Sequence, residues 1–301
     1  MQSPFTAFAD DYIRARLAKL IRKADKAAAK CGRKGKAVHD FRVALRGLHS
    51  WLMVYAAPYG FDLQLILEVQ MLASATNGYR DLEVFSIWLD EQKHPSHAVR
   101  KYRKHIRRQL EKVTKKTATF IKDVWHPLSE RLYRELDVIC RGDDSECGFS
   151  ATSHAALCQR FDTFSEQLGN IIGVAENESS EKRLHKCRIS IKQMRYLLEA
   201  FADWNNRCRE AVSELRRIQD DMGVYHDLCV FRNTIRAAAL EHQDLESLAE
   251  MAEGQRAILY ARLYENYFTP PLRWMARLED AIGDIGGEVK RACSQPASGM
   301  Q

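Results

Sequence analysis

The sequence predicts an all-α protein made of two tandem, pseudo-symmetric antiparallel helical bundles. Three observations lead there. Gly and Pro are sparse, 15 and 7 in 301 residues, so long stretches are free of helix breakers. Apolar residues recur with the 3.6-residue period of amphipathic helices, and no segment alternates as a strand would. The chain also repeats itself. VHDFRVALRGLHSWLMVY (38–55) aligns with LHKCRISIKQMRYLLEAF (184–201), and NGYRDLEVF (77–85) aligns with GVYHDLCVF (223–231). Both pairs share the 146-residue offset that takes His39 to His185, and Arg14 falls on Arg160 in the same register. Two blocks on one ungapped offset point to a duplication.

The first repeat is assigned to 1–145 and the second to 146–286, with a disordered tail over 287–301. The polar stretch RGDDSECGFS (141–150) reads as the linker. Helices are expected near 5–30, 37–56, 62–77, 81–92, 96–121 and 124–140. In the second repeat they are expected near 152–175, 181–204, 207–222, 226–241, 243–267 and 271–285. Loops fall at Gly32 and Gly35, Pro58 and Gly60, Asn77-Gly78, Pro95 and Pro270-Pro271. Most of these helices have one apolar stripe, which suits antiparallel packing.

Hydrophobic residues make up 46% and charged residues 29%, the balance of a soluble globular chain. No apolar run approaches the ~18 residues of a membrane helix, and the opening residues lack signal-peptide order. Eight cysteines occur without CxxC spacing, so reduced cysteines in a cytoplasmic protein are expected, with no zinc site. No P-loop, HExxH, GxSxG or dinucleotide turn is present, and no cofactor is expected. Lys and Arg dominate the first 141 residues, while Asp and Glu prevail in the rest. A basic half implies a polyanionic partner. Charge alone leaves DNA, RNA, anionic lipid and polyphosphate open. The acidic half could recruit a protein partner.

Helix 37–56 carries two stripes. Phe41, Leu45, Leu48, Leu52 and Tyr55 form a core seam. His39, Arg42, Arg46 and His49 form a second row, roughly 120° away and roughly 15 Å long. The other repeat matches it with His185, Arg188, Lys192 and Arg195 beside Ile191, Met194, Leu198 and Phe201. For a lone arginine or histidine, a solvated or structural role would be the ordinary reading. A duplicated row of mutually repelling cations with no acid interspersed suggests that a ligand supplies the negative charge. Arginine offers a planar fork to phosphate oxygens, lysine a point charge, and histidine one or two N–H donors. Such a row fits a chain of phosphates. Further cations are candidates for the same face: Arg14, Lys19 and Arg22 on the first helix, Arg103 and Arg107 in the basic stretch 97–116, and Arg80, which shares its repeat position with His226. Asp81 and Asp227 are expected to cap the helices that follow them, with a salt bridge to a basic row as the alternative.

HDFRVALRGLHS and HKCRISIKQMRY resemble the H-x-x-R-x-x-x-(R/K)-x-x-(R/H) helices of the CHAD family, the conserved histidine α-helical domain. NGYRDLEVF and MGVYHDLCVF resemble that family's Leu-Gly-x-x-(R/N)-Asp-(L/A)-x-V turn. The likeness covers about 8–285. It implies two helical bundles around a central basic groove or pore, and binding of inorganic polyphosphate; with no catalytic motif and no metal-holding acids in the rows, a non-enzymatic binder is expected. In many members it also implies association with polyphosphate granules. The residues it carries over are His39, Arg42, Arg46, His185, Arg188, Lys192 and Arg195. His49 stands where the second copy has Arg195, Asn77 where it has Gly223, and His226 where the family has Asn or Arg. A nucleic-acid binder is the rival reading, but Tyr102 is the lone Trp, Tyr or Phe in 97–116, and RNA binders usually stack bases on aromatics.

Overall fold

Whether an apolar stripe continues through a polar residue or breaks at it decides most of this architecture. A computed structural model describes residues 4–32, 36–55, 61–93, 95–139, 148–172, 178–199, 201–203, 205–240 and 243–294. The described helices are α1 (Pro4–Ala28), α2 (Ala37–Tyr55), α3 (Leu63–Ala75), α4 (Asn77–Glu91) and α5 (His97–Ile139). They continue with α6 (Gly148–Gly169), α7 (Glu178–Leu198), α8 (Asn206–Ala239), α9 (Glu246–Leu263) and α10 (Arg273–Ser294). A 3-10 turn, Gln243–Leu245, precedes α9 and a π turn, Tyr264–Phe268, follows it. No strand occurs among the described residues.

The two copies of the repeat fall on α2 and α7, but their surroundings differ. In the first copy α3 and α4 are separated by the fully buried Thr76. Its hydroxyl donates to the Ala73 carbonyl (2.6 Å), which competes with the helical ladder. The same repeat position in the second copy is Met222, a good helix former with no such donor. There α8 runs unbroken through both expected helices, 207–222 and 226–241. Asp81 and Asp227 therefore lie inside α4 and α8 and cap nothing. The caps are Asp62, which accepts from the Gln64 amide (2.8 Å), and Asn205, which accepts from the Cys208 amide (3.1 Å).

The reverse difference occurs one element later. Two helices expected at 96–121 and 124–140 are one, α5, which passes through Pro127. An internal proline costs about 3 kcal/mol. It is outweighed by Ile121, Trp125, Leu128 and Leu132, all buried on the inner face around it. The second copy instead breaks at Pro270-Pro271, as expected, before α10 begins at Arg273. Helix α10 reaches Ser294, beyond the expected end at 285 and into the stretch assigned to the tail. Most of the expected linker, and residues 295–301, lie outside the described residues.

Helices α1, α2, α3 and α5 pack together, as do α6, α7, α8 and α10. The groups meet chiefly through α2 on α7, α1 on α6, and α4 on α8. Phe41, Leu45, Leu48 and Leu52 are buried as expected, as are Ile191, Met194, Leu198 and Phe201. One apolar core runs through both groups. Gly47 lets α1 approach α2, since a Cβ there would lie 3.1 Å from Leu20 Cδ2. A second core joins α4, α8, α9 and the start of α5, and within it Phe85 and Phe231 lie 5.1 Å apart. These two residues hold the same repeat position, so corresponding points of the two copies meet.

Candidate functional site: a cationic seam between two helices

With the core stripes of α2 and α7 turned inward, the rows of cations come together where the two helices pack. Burial depresses the protonation of Arg46 on α2 and Arg188 on α7; Arg188 adds to the effect on Arg46, and Arg80 of α4 adds to it on both. Lys192 sits among Arg46, Arg188, Arg42 and Arg195. Its amine is pushed from 10.5 down to about 6, first by burial and then by those guanidinium groups. Burial also lowers Arg46, Arg188, His49 and His185. His226 of α8 lies against His185, with ring centroids 4.7 Å apart and the ring planes tilted by 39°. Burial, His185, Arg188 and Arg46 take it down to about 4.

Three polar atoms at the centre, His49 Nε2, His185 Nδ1 and Arg188 Nε, are buried and lack a hydrogen-bond partner within the protein. Such groups ordinarily find partners. Acids approach from the side: Asp227 of α8 acts on Arg188, and Asp81 on Arg42. Asp227 is itself pushed up by burial, against the pull of Arg80 and Arg188. The expected capping role of these aspartates gives way to this electrostatic one.

The ends of the rows are compensated. Arg42, buried, donates to Asn77 Oδ1 (2.6 Å), Thr76 Oγ1 (3.1 Å) and the Ala73 carbonyl (3.4 Å). It braces the α3–α4 junction, and burial lowers it to about 10. Arg46 also reaches Asn77 Oδ1, at 3.3 Å. Arg195 pairs with Glu199, donates to Gln219 Oε1 (3.0 Å), and lies 4.2 Å over the Tyr196 ring. His39 lies 3.6 Å from Glu83, which also accepts from Arg80 (2.9 Å) and Tyr79 (2.6 Å). The centre is Arg46, His49, His185, Arg188 and Lys192, with His226 beside it; Asp81 acts on Arg46, and Asp227 and Asp220 act on Arg188, but among the described residues no carboxylate forms an ion pair with any of them.

The remaining candidates are placed elsewhere. Arg14, Lys19 and Arg22 are exposed on α1, and Arg22 acts on Tyr133 of α5. The α1 residue that reaches the end of the seam is Arg16, which bonds Glu199 at 3.0 Å and lies 5.5 Å over the Trp51 ring. Arg103 donates to the Leu89 (2.5 Å) and Gln92 (3.3 Å) carbonyls, and Arg107 pairs with Asp90 (2.8 Å). Arg103 thus satisfies carbonyls at the C-terminal end of α4 and Arg107 pairs with the Asp90 carboxylate there, rather than joining the seam. Sequence reasoning did not assign roles to Arg16, Tyr196, Gln219 or Glu199. Glu199 was readable as the i+4 partner of Arg195, whereas the others depend on tertiary packing.

Cys31, Cys158, Cys187, Cys208 and Cys229 are free thiols. Burial raises all five, Cys31 and Cys229 to about 11 and Cys208 to about 12. That suits core packing rather than reactivity. Among the described residues no group of three or more His, Cys, Asp or Glu is placed to hold a metal ion, and no helix is long and apolar enough to cross a membrane.

Fold and seam together define a class of protein: an all-helical scaffold that concentrates cations between two helical groups. Within that class the chain belongs to the CHAD family, whose CHAD-domain profile matches residues 11–236. The fold is similar to that in the crystal structure of the CHAD domain from the plant Ricinus communis. The TM-score is 0.66 at 16% sequence identity, over 91% of each chain. No curated protein matches the sequence.

Proposed function

We propose that this protein binds inorganic polyphosphate along the α2–α7 seam without acting on it chemically, and that this binding places it on cytoplasmic polyphosphate granules. One observation carries the reading. Burial and the guanidinium groups of Arg46 and Arg188, drawn from two helices, depress the protonation of Lys192, while His49 Nε2, His185 Nδ1 and Arg188 Nε lack partners within the protein. A linear polyanion answers both deficits, since each phosphate brings negative charge and several acceptor oxygens. The residue types at the centre bind and neutralise charge, whereas phosphoryl transfer usually relies on carboxylates that hold metal ions.

Arg46→Gln with Arg188→Gln tests the reading better than any change at Arg42, whose loss would disturb the α3–α4 junction. Hydrogen bonds to charged groups are worth about 1.5–3 kcal/mol each. The double variant should therefore weaken polyphosphate binding by about 100-fold or more, measured by titration calorimetry, with helicity retained by circular dichroism. Unchanged affinity would remove the seam from consideration. In competition, polyphosphate should displace labelled RNA at far lower phosphate concentration than RNA displaces polyphosphate.

A further inference from the structure

Helix α5, which is not one of the two helices that form the seam, carries a second row of cations. Lys101, Lys104, Arg108, Lys112 and Lys115 are all exposed. At 100° per residue they fall within about 80° of arc, and the row is about 21 Å long. No ion pair to any of the five forms among the described residues. The single acid of the stretch 97–116, Glu111, lies at the edge of that arc and is likewise unpaired there. Arg103 and Arg107, named as candidates from sequence, turn instead to the end of α4. The outward row is what remains once they are removed.

The opposite face of α5 is committed to the core. Val99, Ile106, Ala118 and Ile121 are buried, and Tyr102 packs 6.1 Å from Phe85. The outer face between Lys101 and Lys115 therefore offers no apolar wedge for a bilayer. It also offers no free Trp, Tyr or Phe on which a base could stack. His105, which borders the row, is engaged by Gln109 (2.7 Å) and lies over Tyr102. A single file of flexible cations without aromatic or apolar neighbours fits a linear polyanion that carries no bases.

We infer that the outer face of α5 is a second contact for the same polyphosphate, so that the protein grips long chains at two places. The inference rests on the polyphosphate reading of the seam. Its physical content is effective concentration: once one stretch of a flexible chain is held, a second stretch binds as an intramolecular event. Short chains fill the seam alone, and long ones gain from both surfaces.

The test uses the full chain with five changes, Lys101→Gln, Lys104→Gln, Arg108→Gln, Lys112→Gln and Lys115→Gln. Binding of short-chain and long-chain polyphosphate is followed across a salt series. Long-chain affinity should fall by at least about tenfold, and the slope of log K against log salt should become shallower by about 3.5, from five lost phosphate contacts at ~0.7 each. Short-chain affinity should stay unchanged. Long-chain binding with the parent affinity and slope overturns the inference and leaves the seam reading intact. If the unmodified protein binds neither length, the seam reading itself fails. Loss of RNA binding with polyphosphate binding untouched makes the row a nucleic-acid surface and also overturns the inference.

Discussion

Polyphosphate binding should weaken steeply as pH rises from 6.5 to 8, with Lys192 as the main cause. In the unliganded protein its amine is held at about 6 by burial and by Arg46, Arg188, Arg42 and Arg195. At pH 7.5 it is therefore mostly neutral. A phosphate beside it favours the ammonium form, so binding takes up a proton. Protonating the free site at pH 7.5 costs about 2 kcal/mol, from 1.36 kcal/mol for each pH unit above the free value. Affinity should thus drop by close to tenfold per pH unit, about 30-fold between pH 6.5 and 8. Internal phosphates of the ligand stay ionised throughout, so its own charge does not confound the reading.

His49, His185 and His226 face the same seam and are also depressed. Their share is separated by variants. Lys192→Met should bind more weakly at pH 6.5 and lose most of the slope. Lys192→Arg keeps its charge and should bind more tightly than the parent at pH 8. Calorimetry in two buffers of different ionisation enthalpy should show uptake of about one proton at pH 7.5 in the parent. An affinity flat in pH, or the same slope in Lys192→Met, would refute the reasoning. The linkage has a stability counterpart. The unfolded chain keeps the Lys192 proton up to the ordinary 10.5 while the folded one releases it near 6. Stability of the unliganded protein therefore gains from this group as pH rises through that window.

Three other outcomes are expected. Gly223→Asn, whose Cβ would lie 3.6 Å from Arg188 Nη2, should give Arg188 the amide acceptor that Asn77 gives Arg42; thermal melts should show about 1 kcal/mol of added stability, and titration a several-fold loss of polyphosphate affinity. Arg103→Gln should cost about 1–2 kcal/mol in urea unfolding through the freed α4 carbonyls, with short-chain affinity unchanged; a large loss of short-chain binding would return Arg103 to the site. Arg256→Ala should cost about 3–5 kcal/mol, because buried Arg256 pairs with Glu253 and Glu181 and bonds the Tyr225 hydroxyl at 3.1 Å; a stable variant would show that this network is dispensable.

Sequence periodicity carried the all-helical fold because burial and period are linked directly. The stripes Phe41–Leu52 and Ile191–Phe201 are buried as their spacing requires. Helix continuity was less legible. Thr76 breaks a helix that Met222 continues, and Pro127 sits within a helix whose inner face is core. In each case a local preference competes with tertiary packing, and residue type alone does not say which wins. The residues that gather in the seam stood out in the sequence because their rows were duplicated. The outlying ones were not, because charge says that a residue is cationic and nothing about where its side chain ends. Arg103 and Arg22 look alike in sequence, yet one closes a helix end and the other is exposed on α1.

The duplicated rows part company in how their buried charge is met. Arg42 and Arg188 hold the same motif position, yet Asn77, Thr76 and Ala73 answer Arg42, while Arg188 faces Gly223 and keeps an unpartnered Nε. An unsatisfied buried donor costs about 1–3 kcal/mol, more when charged. The second copy bears that cost in the empty protein, and the first avoids it by holding its own backbone. A ligand that satisfies Arg188 and recharges Lys192 recovers what the fold gave up, because anything that binds only the folded state stabilises it. On the proposed reading, affinity in this seam comes less from the number of cations than from how many the fold leaves unanswered, and a single amide at Gly223 should shift that balance toward stability.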